Sequence, residues 1–175
     1  MHEPEEILPA YRELTLADQD FLWEMLYQAI YHAPGSPPPR ELVHTAELSR
    51  YVEGWGRTGD LGFAALITAG ETRAVGAAWL RVFTRAAPGY AYLDDAIPEL
   101  SIALLPAYRG HGIGGQLMIR LIEAARASYA AISLSVSPGN PARHLYERCG
   151  FQTTEQRGDS LVMQLTLEPG VPLSG

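Results

Sequence analysis

Apolar residues recur along the chain at period two in some stretches and near 3.6 in others, and the switches between the two lay out its elements. Residues 7–14 predict a first strand. Thr15 or Asp18 predicts the cap of a helix carrying Phe21, Leu22, Met25, Leu26 and Ile30 at helical spacing. The proline-rich run at 34–40 stops that helix, and a weaker helical pattern resumes over 41–52. Runs 61–68 and 74–83 read as strands, joined into an antiparallel hairpin by Ala-Gly-Glu-Thr with Gly70 at the turn. After a polar and aromatic loop at 84–95, Leu100, Ile102 and Leu104 mark one face of a strand over 99–105.

The second half is more sharply punctuated. Ile113, Leu117, Leu121, Ile122 and Ala125 form the stripe of a helix over 112–128 that packs on a sheet. Ile132, Leu134 and Val136 then alternate with Ser133, Ser135 and Ser137, so strand, helix and strand imply a right-handed parallel crossover. Asn140 as cap, Pro141 at the first helical position and Gly150 as the closing residue bracket a short helix. Two last strands, 151–156 and 160–167, flank an Arg157-Gly158-Asp159 turn, and the final residues read as a frayed tail, with 169–175 a flexible end. Nothing divides the 175 residues, so one domain over 1–175 is expected.

Charge and cysteine use narrow the setting. A formal net charge of −7, with no basic run, excludes nucleic acid as an expected partner and mildly favours cationic substrates. The acidic residues 1–10 do not form a signal peptide, no apolar run reaches the roughly 20 residues that span a bilayer, and Cys149 has no disulfide partner. A cytoplasmic protein with no membrane partner is the expectation. The five histidines show no metal-ligand spacing, so no metal is expected; Cys149 reads as a small buried hydrophobe rather than a nucleophile.

The chemistry concentrates where the strand at 99–105 runs into glycines. Gly110, Gly112 and Gly114 remove side chains from a helix start, leaving backbone N–H groups at the positive end of the dipole for phosphate oxygens, with Arg109 and His111 as further donors. Gly110, Gly112 and Gly115 also satisfy a dinucleotide-binding fingerprint. That reading expects the first strand of its unit and an acid about 20 residues on, whereas four strands precede the loop and Tyr129, Ala130 and Ala131 stand at the acid's distance.

Arg109, Gly112 and Gly114, with Pro106 upstream, resemble the Q/R-x-x-G-x-G/A signature of the Gcn5-related N-acetyltransferase (GNAT) family. The segment from Asn140 to Phe151, an Asn, a short helix with Tyr and then Gly-Phe, resembles that family's second cofactor segment. Together they cover 98–151. The resemblance implies an α/β fold with a central mixed sheet of about six to seven strands, a splayed parallel pair and about four flanking helices. It implies acetyl-CoA as co-substrate: pantetheine along Ile102, Ala103 and Leu104, diphosphate on Arg109, Gly110, His111, Gly112, Ile113, Gly114 and Gly115, and further contacts from Asn140, Arg143 and Tyr146. Homodimerisation, common in the family, is also expected.

The implied activity is N-acetyl transfer to a primary amine of a small molecule or peptide, directly rather than through an acetyl-enzyme. A non-catalytic acyl-CoA-binding sensor or interaction module is the alternative. Tyr146 is the candidate general acid, against a packing role on the stripe of Ala142, Leu145, Tyr146 and Cys149. Glu99 is the candidate base, against a solvated strand-end acid, and the backbone N–H near Leu104 is the candidate oxyanion donor. Trp79 and Tyr90, with Tyr92, are candidates for the wall of the acceptor cleft, as are Trp23, Tyr27 and Tyr31 from the first helix, each against ordinary packing. Asp94 and Asp95 stand where a cationic substrate or a turn would use them.

Overall fold

The computed structural model describes residues 8–168; Ile7 of the first predicted strand and the predicted tail at 169–175 lie outside them. Seven strands form one sheet: β1 Ala10–Glu13, β2 Leu61–Ala69, β3 Glu71–Arg81, β4 Glu99–Leu104, β5 Ala131–Val136, β6 Gln152–Arg157 and β7 Ser160–Thr166, in the order β1-β2-β3-β4-β5-β7-β6. Four helices flank it among the described residues: α1 Gln19–Ala29, the single turn α2 Ala46–Ser49, α3 Ile113–Ala125 and α4 Ala142–Arg148. The mixed sheet with one parallel pair is the one expected.

Both faces are buried, each by its own helices. The stripe on α3 predicted from spacing is buried in full, with Leu117, Leu121, Ile122 and Ala125 at 0 % exposure in a core shared with Leu134 and Met163. On the other face Leu22, Met25 and Leu26 of α1 pack with Val52, Trp55 and Trp79. Alternation on β4 feeds both: Ala103 belongs to the α1 side, Ile102 and Leu104 to the α3 side.

The predicted helix over 41–52 is a correction. Residues Arg40–His44 make a 3₁₀ turn, Thr45 takes the extended conformation at φ −65° and ψ 154°, and only Ala46–Ser49 is α-helical. The Thr45 hydroxyl donates to Leu42 O at 2.8 Å, a local bond that competes with helix continuation. At the other end of the hairpin, β3 starts at Glu71 because Gly70, at φ +79°, turns the chain in one residue. No helix among the described residues is long and apolar enough to cross a membrane.

The sheet opens in the middle. β4 pairs with β3 along its whole length, but its parallel pairing with β5 holds at Glu99↔Ser133 alone. Beyond that point the strands splay, so the carboxyl ends of the two face a gap.

Candidate active site

Two cavities meet at this gap. The larger, about 620 Å³, is lined by Ile102, Ala103, Leu104, Arg109, Gly114, Asn140, Leu145 and Tyr146 together with the end of α1. The smaller, about 370 Å³, reaches Tyr51, Tyr90, Glu99, Ser101, Ser135 and Ser137. Ile102, Asn140 and Tyr146 line both, as do Ala29, Ile30 and Tyr31.

The start of α3 borders the larger cavity. Gly110 and Gly112 have φ of +80° and +78°, a region only glycine enters cheaply, and this bends the chain from β4 into the helix. The first helical bond is Gln116 N to Gly112 O at 3.3 Å, so the N–H groups of Ile113, Gly114 and Gly115 precede it as the orphan donors of a helix start. A Cβ at Gly114 would lie no nearer than 3.5 Å to any neighbour, so the fold does not demand glycine there; its absent side chain leaves the helix start open to the cavity. Arg109 reaches across to α1, its guanidinium 3.2 Å from Gln28 Oε1, and its Nε donates to Leu104 O at 3.3 Å.

The gap exposes peptide groups as well. Leu105 N donates to Val75 O on β3 at 2.8 Å. Antiparallel ladders alternate, so Ile102 and Leu104 turn their backbone groups the other way, towards the space β5 has vacated.

Glu99 ends the smaller cavity and is 3 % exposed, not a solvated strand-end acid. Its Oε2 accepts the Tyr51 hydroxyl at 2.6 Å and its Oε1 accepts Ala91 N at 3.0 Å. Burial pushes the carboxyl up to about 7, against the hydrogen bonds from Tyr51 and Ala91 that favour its charged form. The loop over it is fitted tightly: a Cβ at Gly89 would stand 2.3 Å from a carboxylate oxygen. Tyr146, 8 % exposed, is pushed up to about 12 by burial, so its phenol keeps its proton at neutral pH.

Asn140 and Gly150 explain how Tyr146 comes to face the gap. Asn140 Oδ1 accepts Ala142 N at 3.0 Å, Pro141 sits in the first turn, and Gly150 at φ +100° lets Phe151 N return to Tyr146 O at 3.0 Å. The helix is short and stopped at both ends.

Several residues singled out from sequence lie elsewhere. Trp79 is a correction: it is fully buried, its Nε1 donates to Tyr51 O at 3.0 Å, and it lines neither cavity. Asp94 Oδ1 accepts Ala96 N and Asp95 Oδ1 accepts Arg85 N, so both build the loop's turns. Arg143 pairs with Glu147 at 2.8 Å, and neither it nor His111 lines a cavity. The Ile113 side chain is in the core, leaving only its N–H at the loop. Tyr90 does line the smaller cavity, stacked on Tyr51 at 6.2 Å, while Tyr27 lines the larger and Tyr31 both. Trp23 packs on His44. Tyr51 itself is absent from the sequence reading. It stands 48 residues before Glu99, and only the aromatic cluster from Tyr51 to Trp55 hinted at it.

Residues 23–151 match the family model described as Acetyltransferase (GNAT) family, and the chain belongs to that family. No curated protein matches it. Among solved structures it is similar to a GNAT superfamily phosphinothricin acetyltransferase from Sinorhizobium meliloti in complex with acetyl-CoA, at 21 % identity and a TM-score of 0.65, over 95 % of this chain and 94 % of that one. It is similar to the PaiA N-acetyltransferase of Thermoplasma acidophilum in complex with coenzyme A, at 18 % identity and a TM-score of 0.64, over 91 % and 99 %. A ribosomal-protein-alanine N-acetyltransferase from Brucella melitensis aligns at 24 % identity and a TM-score of 0.60, over 90 % and 99 %. At these identities the likeness is one of fold. Among the described residues no group of three or more His, Cys, Asp or Glu is gathered as a metal site.

Proposed function

We propose that the protein is an N-acetyltransferase that moves the acetyl group of acetyl-CoA directly onto a primary amine of a small molecule or peptide. One observation carries this reading: Tyr146 stands in the wall common to two cavities, one opening on the start of α3 and the other ending on the buried Glu99 carboxylate. The complexes of the Sinorhizobium and Thermoplasma proteins support assigning the larger cavity to the thioester. Its residues fit one, with the N–H groups of Ile113, Gly114 and Gly115 and the Arg109 guanidinium for the diphosphate, and the turned peptide groups of Ile102 for a pantetheine amide.

The amine enters from the side of Glu99. Its ammonium first gives a proton to the Glu99 carboxylate, directly or through water, and the freed lone pair then forms the new bond to the carbonyl carbon as the carbon–sulfur bond breaks. The departing sulfur takes the phenolic proton of Tyr146, and the phenolate recovers a proton from the acetylated nitrogen. The Leu104 N–H receives the charge that gathers on the carbonyl oxygen. A carboxyl at about 7 is matched to accepting a proton near neutrality, and a phenol at about 12 is matched to holding one until thiolate forms. Cys149 is poorly suited to an acetyl-enzyme, because burial raises its thiol and so disfavours thiolate.

The test is thiol release from acetyl-CoA across an amine panel. Intersecting initial-rate lines are expected, with parallel lines overturning direct transfer. Tyr146→Phe should lose about 10²-fold or more in kcat with acetyl-CoA affinity retained, and Glu99→Gln should remove the acid limb of the rate profile. Full activity in Tyr146→Phe would strip that residue of its role.

A further inference from the structure

The cavity that ends on Glu99 has a lopsided chemistry. Glu99 is the one charged side chain in its lining, and no arginine, lysine or histidine faces it among the described residues. Its other polar lining is hydroxyl and amide. Leu26, Ile30, Leu42, Leu48, Leu100 and Val136 make the apolar part.

Exposure on the surface tells the same story independently. Five large hydrophobic side chains of the described residues are exposed, and three of them, Tyr31 at 47 %, Leu42 at 37 % and Tyr90 at 50 %, line this cavity, Tyr31 bordering the larger one as well. Apolar groups collected around a concave site, rather than scattered, mark a ligand that covers them. The two arginines whose charge reaches Glu99, Arg157 and Arg50, line neither cavity and are held by other partners. Arg50 donates to the carbonyls of Ala46 and Pro88, and Arg157 to Tyr90 O at 3.2 Å and to Glu155 at 2.5 Å. Two contacts brace the cavity's sides: Tyr31 Oη donates to Gly139 O at 3.0 Å across the top of the gap, and Arg157 ties the β6–β7 hairpin to the loop holding Tyr90. The cavity volume, about 370 Å³, suits a small molecule.

Resting on the acetyltransfer reading above, we propose that the acceptor is a small primary amine carried on an aromatic or branched aliphatic body and bearing no anionic group. Its ammonium is drawn to Glu99, and its body covers Tyr31, Leu42 and Tyr90. A carboxylate one carbon from the nitrogen would be set beside Glu99 in a cavity with no cation to receive it. Like charges brought together beside a buried carboxylate, with no cation in the lining to offset them, are disfavoured, so free amino acids are poor acceptors.

Matched pairs test this on the full chain, with thiol release from acetyl-CoA as the readout: phenethylamine against phenylalanine, tryptamine against tryptophan and isoamylamine against leucine, with ethanolamine and an alanine-terminated peptide amide alongside. Each amine should exceed its amino acid by about 10²-fold in kcat/KM, and phenethylamine should exceed ethanolamine by roughly tenfold or more. Leu42→Arg, at an exposed position, should narrow the phenethylamine-to-phenylalanine ratio by about tenfold. Equal or better use of phenylalanine, or preference for ethanolamine or the peptide, overturns the proposal, as does an enzyme that binds acetyl-CoA and turns over none of these amines. Calorimetry separates the two levels: failure to bind acetyl-CoA sinks the acetyltransfer reading itself, whereas binding with the wrong amine preference sinks this inference alone.

Discussion

The Tyr51 hydroxyl donates to Glu99 at 2.6 Å while accepting the N–H of Tyr90 at 2.8 Å, so one phenol links the carboxylate to the loop that covers it. Its own place is set from β3. Trp79 Nε1 donates to Tyr51 O, and the Arg81 guanidinium donates to Arg50 O at 3.1 Å and Glu53 O at 2.6 Å on either side. The orientation of Glu99 is therefore inherited from buried groups that never touch the cavity.

Tyr51→Phe should move the acid limb of kcat/KM to higher pH. The hydrogen bond from Tyr51 favours the charged carboxylate and pulls Glu99 down against the larger effect of burial. Without it the carboxyl holds its proton to higher pH, and a base must be unprotonated to act. A hydrogen bond to a charged group is worth about 1.5–3 kcal/mol, so activity near pH 6.5 should fall about tenfold while the plateau at high pH survives. A residue that merely filled space would lower the plateau and leave the midpoint near 7.

The same burial makes Glu99 a liability for stability. Its folded value of about 7 lies above the ordinary 4.5, so the native state keeps a proton that the unfolded chain has released. The sign is then fixed: this contribution is full below about 4.5 and is lost as pH rises to 7. Asp18 and Glu24, held low by Arg12 and Arg40, act in the opposite sense. Comparison with Glu99→Gln isolates the one group. Between pH 5 and pH 8 denaturant titrations should show the wild type losing about 2–3 kcal/mol more than the variant. Parallel pH dependences would mean that the carboxyl is not held in its buried form.

How much of this could be read in the sequence follows from the range of the forces involved. The glycines before α3 and the frame from Asn140 to Gly150 are local devices, since a positive φ or a cap is decided within a few residues, and both were legible. Glu99 was legible as a candidate, but its burial was not, because burial depends on Tyr51 and Ala91 arriving from other elements. Trp79 and Asp94 misled for the same reason in reverse. Residue type suggested a cleft, whereas β3 register sent the indole into the core and a two-residue Asx bond absorbed the acid. The segment 40–52 carried a helical pattern that the Thr45 hydroxyl and its extended backbone interrupt.

The glycines of the loop should separate into two kinds. At Gly112, with φ of +78°, alanine is strained wherever its methyl points, and Gly112→Ala should cost about 1–2 kcal/mol of stability. At Gly114 the backbone is helical and the space around a methyl is free of protein atoms closer than 3.5 Å. Gly114→Ala should therefore keep or slightly raise stability, by up to about 1 kcal/mol of helix propensity. Its methyl would nonetheless project into the larger cavity, towards Leu145, Leu104 and Ile102, so affinity for acetyl-CoA by calorimetry should fall about tenfold or more. Unchanged affinity would remove the helix start from the binding site.

The pair of Arg81 and Asp60 offers the sharpest separation of stability from positioning. Both side chains are buried, 1 % and 2 % exposed, and the guanidinium meets the carboxylate through Nε at 3.1 Å and Nη2 at 2.8 Å. Asp60→Ala leaves a buried cation without its partner, which costs about 3–5 kcal/mol and should lower Tm by roughly 10 °C. Replacing both residues, as Arg81→Met with Asp60→Leu, removes the stranded charge and should recover part of that loss, the remainder reflecting the backbone groups at 50, 53, 56 and 57 that lose their partners. The double variant still lacks the donors that hold Arg50 O and Glu53 O, and with them the backbone around Tyr51. Its acid limb should therefore be displaced upward as in Tyr51→Phe even though its Tm is partly restored. A double variant with both Tm and midpoint at wild-type values would confine Arg81 to a stabilising role and leave Trp79 as the group that fixes Tyr51.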